Sequence, residues 1–382
     1  MVTEILLAMG VMLLAAKIFG EIAERVGVAS LVGEIVAGVI LGPILGWIVI
    51  GDFLTGFLTF GVIILLFIAG MEVKINDIKK HAYKASILAA AGGLLSFFLG
   101  YTIGMIFFGD QLVAIAIGTA IISTSNGALF LLLMRIGEFD SKTGKLIIAI
   151  TIADDIVGIL MLSFFNMYVS QTIALSGMFF IFLVSIGFYI FVLTFGSNVI
   201  NKFLDRMNIF HDEHVLFTIP IAITFILAYI THNIGLSVAT GAFLAGMAMA
   251  NSKFAGPIIS EKVNILSKGF LLPLFYASVG TLLIFTDLNW LLIISLMTAA
   301  MIGKFVGCGV LSWFFGARWD EMKLIGISMM PRGDENIVIL QIIVVLGVVT
   351  TQIYTSIVFA VVFTTVLAPI IMKVVYRKHK HY

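Results

Sequence analysis

Long apolar runs separated by short polar connections fill the chain from end to end. A helix needs about 20 mostly apolar residues to cross a ~30 Å hydrocarbon core. Read with that window, thirteen segments qualify: 3–20, 30–49, 53–71, 85–108, 112–134, 145–168, 174–196, 214–231, 235–251, 264–285, 289–315, 323–348 and 352–375. The runs are continuous and lack the two-residue alternation of membrane strands, which excludes a transmembrane β-barrel. The pattern predicts an all-α polytopic membrane protein. Two runs are interrupted by polar, turn-forming residues. Segment 5 contains Ser123-Thr-Ser-Asn-Gly127, and segment 12 contains Pro331-Arg-Gly-Asp-Glu-Asn336. Pro331 has no amide proton to give a helix, so segment 12 should break there and free backbone groups.

The basic residues orient these segments. All but two of the 22 Lys and Arg residues lie in or beside loops that follow odd-numbered segments, or in the C-terminal tail. Loops after even-numbered segments hold none. By the positive-inside rule the basic side is cytoplasmic, which puts the N-terminus outside and the C-terminus inside. Composition agrees with the pattern. Apolar residues make up 61% and charged residues 11%, and the mean hydropathy is +1.17. A soluble domain carries about 45–50% and about 25% respectively. A soluble enzyme and a nucleic-acid-binding protein are excluded. One cysteine, Cys308, leaves no disulfide framework or cysteine-built metal site.

The two interruptions belong to an internal repeat. Segment 2 carries Leu31-Val-Gly-Glu-Ile-Val-Ala-Gly-Val-Ile-Leu-Gly42, and segment 9 carries Leu236-Ser-Val-Ala-Thr-Gly-Ala-Phe-Leu-Ala-Gly246. Segment 3 holds Leu66-Phe-Ile-Ala-Gly70, and segment 10 holds Leu274-Phe-Tyr-Ala-Ser-Val-Gly280. These pairs, like the two interruptions, lie 203–210 residues apart. Seven segments separate the copies. An odd shift reverses topology, so the repeats are expected to be inverted. Paired interrupted segments in inverted halves point to the binding site of a secondary transporter.

Charged residues inside the spans are few: Glu34 in segment 2, Asp154 and Asp155 in segment 6, Lys304 in segment 11, and Arg332, Asp334 and Glu335 at the break of segment 12. Each costs about 2.5–3.5 kcal/mol at the bilayer centre on insertion scales. Such charges persist only if they pair, face water or titrate. Neighbours on a helix point about 100° apart, so one of the two aspartates can face a pathway while the other meets a partner helix. Lys304 is the partner matched in depth. Like charge and burial both oppose ionising two adjacent carboxylates at once. A carboxylate in that position takes either a proton or a small cation, which is the minimal chemistry of ion–proton exchange. Thr124, Ser125 and Asn126 add neutral oxygens, and Thr151 shares a helix face with Asp155. Two readings of Thr151 stay open, a ligand or a hydroxyl bonded back to its own helix. For Glu34 they are an inner funnel or a local backbone bond. Arg332 is expected to neutralise either the neighbouring acids or the half-helix ends.

No enzyme is expected. An intramembrane aspartyl protease needs two aspartates on different helices, typically within Gly-x-Gly-Asp. Here the central pair is adjacent, and Gly51-Asp52, Gly109-Asp110 and Gly333-Asp334 lack the first glycine. No cofactor is expected either, only transported Na⁺ or Li⁺ and protons.

The chain resembles the monovalent cation:proton antiporter-2 family, in particular its NapA-type Na⁺/H⁺ antiporters, along essentially its whole length. The likeness is carried by Gly33-Glu-Ile-Val-Ala-Gly-Val-Ile-Leu-Gly-Pro43, Leu66-Phe-Ile-Ala-Gly-Met-Glu72, Ser123-Thr-Ser125, Ala153-Asp-Asp155, Pro273-Leu-Phe-Tyr-Ala-Ser-Val-Gly280, Lys304 and Pro331-Arg-Gly333. The resemblance implies thirteen helices in a prokaryotic plasma-membrane homodimer. Scaffold helices would occupy 1–84 and 214–288, core helices 85–170 and 289–376, and a linker helix 174–196. Segments 5 and 12 would cross as broken helices. It implies Na⁺ at Asp155, Asp154, Thr124 and Ser125, with Asp154 paired to Lys304. It further implies electrogenic exchange of two protons for one Na⁺ by an elevator motion, since the electroneutral branch typically carries Asn and Arg in place of Asp154 and Lys304. The run Asp334-Glu335-Asn336 departs from the family's single Glu after Arg-Gly, leaving open which acid takes that role. Exchange of K⁺ for protons on the same fold, and Na⁺-coupled uptake of an organic solute, are the alternatives.

Overall fold

A computed structural model of the chain describes residues 2–48, 52–72, 81–139, 141–169, 187, 191–206, 215–233, 238–250, 252, 261, 263, 265–286 and 288–377. Every regular element among them is helical. The helices are α1 Val2–Arg25, α2 Ser30–Val39, α3 Asp52–Glu72, α4 Ala82–Phe108, α5 Gln111–Ala120, α6 Asn126–Ile136, α7 Lys142–Val169 and α8 Ser197–Arg206. They continue with α9 Val215–Asn233, α10 Val238–Met249, α11 Leu272–Thr281, α12 Trp290–Lys304, α13 Leu311–Phe314, α14 Trp319–Ser328, α15 Asp334–Val345 and α16 Thr351–Arg377. Wider π-helical turns lie at Ile40–Ile44, Val192–Gly196, Ser267–Leu271 and Phe305–Val310. The expected linker helix 174–196 falls almost wholly outside the described residues, as do Lys74, Lys79, Lys80, His211, His214 and the basic tail beyond residue 377.

Among the described residues, five helical stretches are long and apolar enough to cross a membrane by length and composition: Leu6–Arg25, Tyr83–Phe108, Lys142–Val169, Trp290–Phe314 and Thr351–Met372. Two other segments are divided where the chain breaks. Segment 5 divides into α5 and α6 around residues 121–125, and segment 12 into α14 and α15 around 329–333. Segment 12 also starts earlier than its hydropathy suggests. Asp320 and Glu321 in the first turn suit the positive end of a helix dipole, and the Glu321 carboxylate accepts the Arg318 amide at 2.7 Å. The polar start is therefore helical. The α4–α5 corner is tight for a local reason. Gly109 closes α4 in the left-handed region (φ 65°), and the next residue, Asp110, caps α5 by accepting the amides of Leu112 and Val113 at 2.8 and 3.0 Å.

The chain forms two compact units. The first comprises Met1–Leu14, Val49–Asp77 and Ile159–Ser278. Within it α3 and α10 meet backbone to backbone. A Cβ on Gly70 would lie 2.1 Å from the Phe243 carbonyl oxygen, and one on Gly246 would lie 2.0 Å from that of Phe67. Small residues permit such approach, which is how membrane helices gain packing without a hydrophobic driving force. Phe67, Met71, Ala245, Met249 and Leu271 close the core around this contact.

The second unit comprises Ala15–Ile48, Ile78–Gly158 and Val279–Tyr382. Its core joins α4, α6, α7 and α14 through Leu88, Leu129, Leu133, Ile147, Ile150, Ile325 and Met329. Gly280 sits against α2, its Cβ direction 2.1 Å from the Ile35 oxygen and 2.8 Å from the Val39 nitrogen. In the first unit, Gly70 meets the Phe243 oxygen and the Met247 nitrogen in the same way. The two repeat copies thus use their matching glycines for matching contacts four residues apart.

These contacts set an expected outcome. Gly70→Ala has no room and should destabilise the protein by about 1–3 kcal/mol, the usual cost of overpacking. Gly61→Ala on the same helix meets nothing within 4 Å and should be neutral or slightly stabilising through helix propensity. Thermal unfolding of the two purified variants in one detergent gives the comparison; equal melting temperatures would contradict the packing.

Candidate functional site

Two helices supply the charges. Asp154 and Asp155 lie in the middle of α7, and Lys304 ends α12. All three are buried, and the Lys304 ammonium forms an ion pair and hydrogen bond with Asp154 Oδ1. The approach is made possible by glycines. A Cβ on Gly303 would fall 2.5 Å from Ser96 Oγ, and one on Gly307 2.5 Å from the Gly92 Cα, so α4 and the α12 run touch through backbone. Gly92 itself would strike Cys308 Sγ at 2.3 Å and the Lys304 stem at 3.2 Å. The helix widens into π geometry directly after Lys304, over Phe305–Val310. Such widened turns occur frequently at functional sites. Cys308 is a packed thiol, donating to the Leu88 carbonyl at 3.3 Å.

The two chain breaks meet one another beside this pair. The Ser125 amide donates to the Pro331 carbonyl at 2.9 Å. Thr124 Oγ1 donates to the Met329 carbonyl at 3.2 Å. Gly333 leaves no room for a side chain, since its Cβ would lie 2.4 Å from Ser125 Oγ. Asn336 bonds to both strands of the crossing, its amide donating to the Ala120 carbonyl at 3.0 Å and its oxygen accepting the Gly333 amide at 3.3 Å. Backbone groups freed by the breaks are satisfied across the crossing rather than by lipid, as irregular backbone at membrane depth requires.

Arg332 is fully buried at the crossing. Its guanidinium donates to the carbonyls of Ile122 (3.0 Å), Ser123 (2.8 Å) and Ala300 (2.6 Å) and to Ser96 Oγ (3.1 Å). The first two carbonyls lie just past the C-terminal end of α5, where the helix dipole is negative. The half-helix end expected of Arg332 is thus among its partners. Thr365 Oγ1 donates to the Arg332 carbonyl.

Asp155 faces the crossing. Asn126, the first residue of α6, donates through Nδ2 to Asp155 Oδ2 at 2.9 Å and to Glu335 Oε1 at 3.5 Å. One side-chain amide therefore links two buried carboxylates from different helices. Asn126 acts here as donor to Asp155. The side chain of Asp334 lies outside the described residues, so of the two acids Glu335 is the one seen against Asn126. Thr151 bonds back to the Ile147 carbonyl at 3.0 Å and touches Met329 Sδ at 3.4 Å. Glu34 is buried and pairs with the half-exposed Lys17 of α1 at 3.7 Å.

Three contributors escaped the sequence reading. Ser96, Thr365 and the Met329 carbonyl hold Arg332 and Thr124 in place. A serine or threonine in an apolar helix commonly bonds its own preceding turn, as Ser96 also does with Gly92 at 2.8 Å. No one-dimensional signal separates those that also serve a distant partner.

The cluster thus places Asp154, Asp155 and Glu335 with Lys304 and Arg332 in one buried region. Three carboxylates and two basic side chains share that region among the described residues.

Known proteins share this chain's sequence pattern and fold. The Na(+)/H(+) antiporter of Enterococcus hirae is 25% identical over 370 residues, covering 96% of each chain. The Na(+)/H(+)-K(+) antiporter GerN of Bacillus cereus is 24% identical over 340 residues, covering 88% of this chain and 87% of the relative. The sodium proton antiporter MjNhaP1 of Methanocaldococcus jannaschii, solved at pH 8, has the same fold, with a TM-score of 0.70 over 98% of this chain and 97% of that one at 16% identity. The resemblance to cation:proton antiporters therefore holds, although this solved match is an NhaP-type rather than a NapA-type protein. Residues 10–378 match the family model for the transmembrane region of sodium/hydrogen exchangers, and the chain belongs to that family of multi-pass membrane transporters.

Proposed function

We propose that the protein is an electrogenic Na⁺(Li⁺)/H⁺ antiporter that exchanges cytoplasmic Na⁺ for external protons. The observation that carries this reading is the buried Lys304–Asp154 ion pair one residue from Asp155. Deprotonated Asp155 receives the cation, with Asp154, Thr124 and Ser125 as nearby oxygens. Arrival of Na⁺ beside Asp154 competes with Lys304, which lets go of that carboxylate and gives up a proton. The core helices (85–170 and 289–376) then move as a body against the scaffold (1–84 and 214–288), the site opens outward, and protons replace Na⁺. Two protons for one Na⁺ move net charge across the membrane. Matching glycine contacts in the two repeat copies support the inverted repeat; the thirteen spans and the external N-terminus rest on hydropathy and on the positive-inside pattern. A plasma-membrane homodimer fits the same reading.

The second reading is K⁺/H⁺ exchange by the same residues. It is favoured by the name of one relative, an Na(+)/H(+)-K(+) antiporter, and by donors that suit both ions. Liposomes with an internal pH-sensitive dye separate the two. With an inside-acid gradient, Na⁺ or Li⁺ should restore the dye signal in a potential-dependent manner; a response to K⁺ alone would establish the second reading.

Three substitutions test the parts. Asp155→Asn keeps the shape and should abolish exchange with every cation; activity like that of the wild type would sink the model. Lys304→Gln should retain a measurable fraction of exchange and lose its dependence on membrane potential, as read from currents on proteoliposomes adsorbed to a sensor. An unchanged voltage response would remove Lys304 from the coupling. Asn126→Ala releases the amide that links Asp155 and Glu335, and should weaken apparent Na⁺ affinity on the order of 10-fold, the lower end for loss of a group that orients an ion ligand. Na⁺ titrations of dye recovery report that value directly.

A further inference from the structure

A group of basic side chains lines a cavity away from the ion site. A cavity of about 170 Å³ in the second unit is lined by His81, Lys84, Lys142, Thr143, Phe315 and Glu321, among others. Two long helices begin beside it. α4 starts at Ala82 with His81 at its N-cap position, and α7 starts at Lys142. Neither has an acidic residue in its first turn. Ser141 caps α7 by accepting the Gly144 amide at 2.8 Å, and the remaining helix-opening amides and the lysines add to one positive field. Lys84 Nζ is held at the wall by the Phe315 carbonyl at 3.0 Å. The one acid on the wall, Glu321, is engaged, accepting Thr143 Oγ1 at 3.4 Å and the Arg318 amide at 2.7 Å.

The surroundings say what kind of anion fits. Tyr83, Trp313 and Trp319 stand next in the chain to wall or near-wall residues and are 77%, 61% and 62% exposed. Exposed Trp and Tyr concentrate at the headgroup level of membranes. Basic pockets between helices at the cytoplasmic interface suit anionic headgroups. We infer that this cavity binds the phosphate of an anionic phospholipid of the cytoplasmic leaflet, with Lys84, Lys142, His81 and the amides opening α4 and α7 as the recognition set. The choice of leaflet rests on the orientation proposed above; the binding itself does not, nor does it depend on which cation is exchanged.

The site joins the cytoplasmic end of α4 to that of α7, which carries Asp154 and Asp155. Lipid bound there ties together two helices of the ion site without touching it.

The test uses the purified full chain in a neutral detergent, with thermal unfolding as the readout. Short-chain phosphatidylglycerol, short-chain phosphatidylcholine and inorganic phosphate are titrated in separate arms. Phosphatidylglycerol should stabilise at a concentration at least about tenfold below that for phosphatidylcholine, and phosphate should not match it. The double variant Lys84→Gln/Lys142→Gln should raise the half-saturating concentration roughly 30-fold, from a contribution of about fivefold per surface lysine. Lys84→Arg/Lys142→Arg should retain binding. Lys202→Gln/Lys268→Gln removes equal charge at exposed positions elsewhere and should change little. If the double glutamine variant does not fold, Lys142→Gln alone is read for the fivefold loss. Equal weakening by both glutamine pairs would reduce the effect to diffuse charge and overturn the site. Equal stabilisation by inorganic phosphate would overturn its assignment to lipid. Cation exchange measured on the same preparation stands apart, since a failure there leaves the lipid titration intact.

Discussion

A lysine buried in an apolar helix has to find a carboxylate, and the packing of the second unit follows from that need. Lys304 and Asp154 are both fully buried. Removing one partner of such a pair leaves an uncompensated charge, a penalty of about 3–5 kcal/mol in measured cases. The pair forms only where α4, α7 and the α12 run come close. That closeness is bought by glycine: Gly92, Gly303 and Gly307 put backbone against backbone, and any side chain at these positions would hold the lysine off. The ion pair and the glycine seam are one constraint seen from two sides.

Arg332 solves the complementary problem. Breaking two helices in the middle of an apolar domain exposes carbonyls that water cannot reach. The guanidinium covers two of them, at Ile122 and Ser123, and reaches the Ala300 carbonyl of α12 as well, while Asn336 and the Ser125 amide cover others. A lysine supplies a point charge and fewer fixed directions, so it would not satisfy the same set. The crossing is thereby held rigid around the start of α6, where Asn126 presents its amide to Asp155 and Glu335.

Much of this was legible in the chain. Hydropathy located most of the described helices, because a membrane makes apolar length nearly equivalent to helix. Depth matching paired Lys304 with an aspartate, and Pro331 announced its break. What stayed hidden is what depends on direction rather than on depth. Glu34 and Lys17 come together because α1 lies along Gly33, whose Cβ direction meets the Phe19 carbonyl at 2.1 Å. Nothing in either local sequence specifies that contact. The sequence offered Thr124 and Asn126 as oxygens, and the direction of their donors, Thr124 Oγ1 to the Met329 carbonyl and Asn126 Nδ2 to Asp155, was not readable from it. A polar run shows that a helix breaks, while the rotation of each side chain is set by the other break it crosses. Segment 12 shows the reverse error: its first turn is too polar for a hydropathy window, yet Glu321 caps it and the helix begins at Trp319.

The two buried bases, Lys304 and Arg332, are held in different ways. Arg332 is fixed by four hydrogen bonds and serves as background. Lys304 is held by one carboxylate, the group that an incoming cation beside Asp155 would share. On the proposed mechanism the two bases would then divide the work: Arg332, with four hydrogen bonds, would hold the crossing, and Lys304, paired with Asp154, would be the base that Na⁺ displaces.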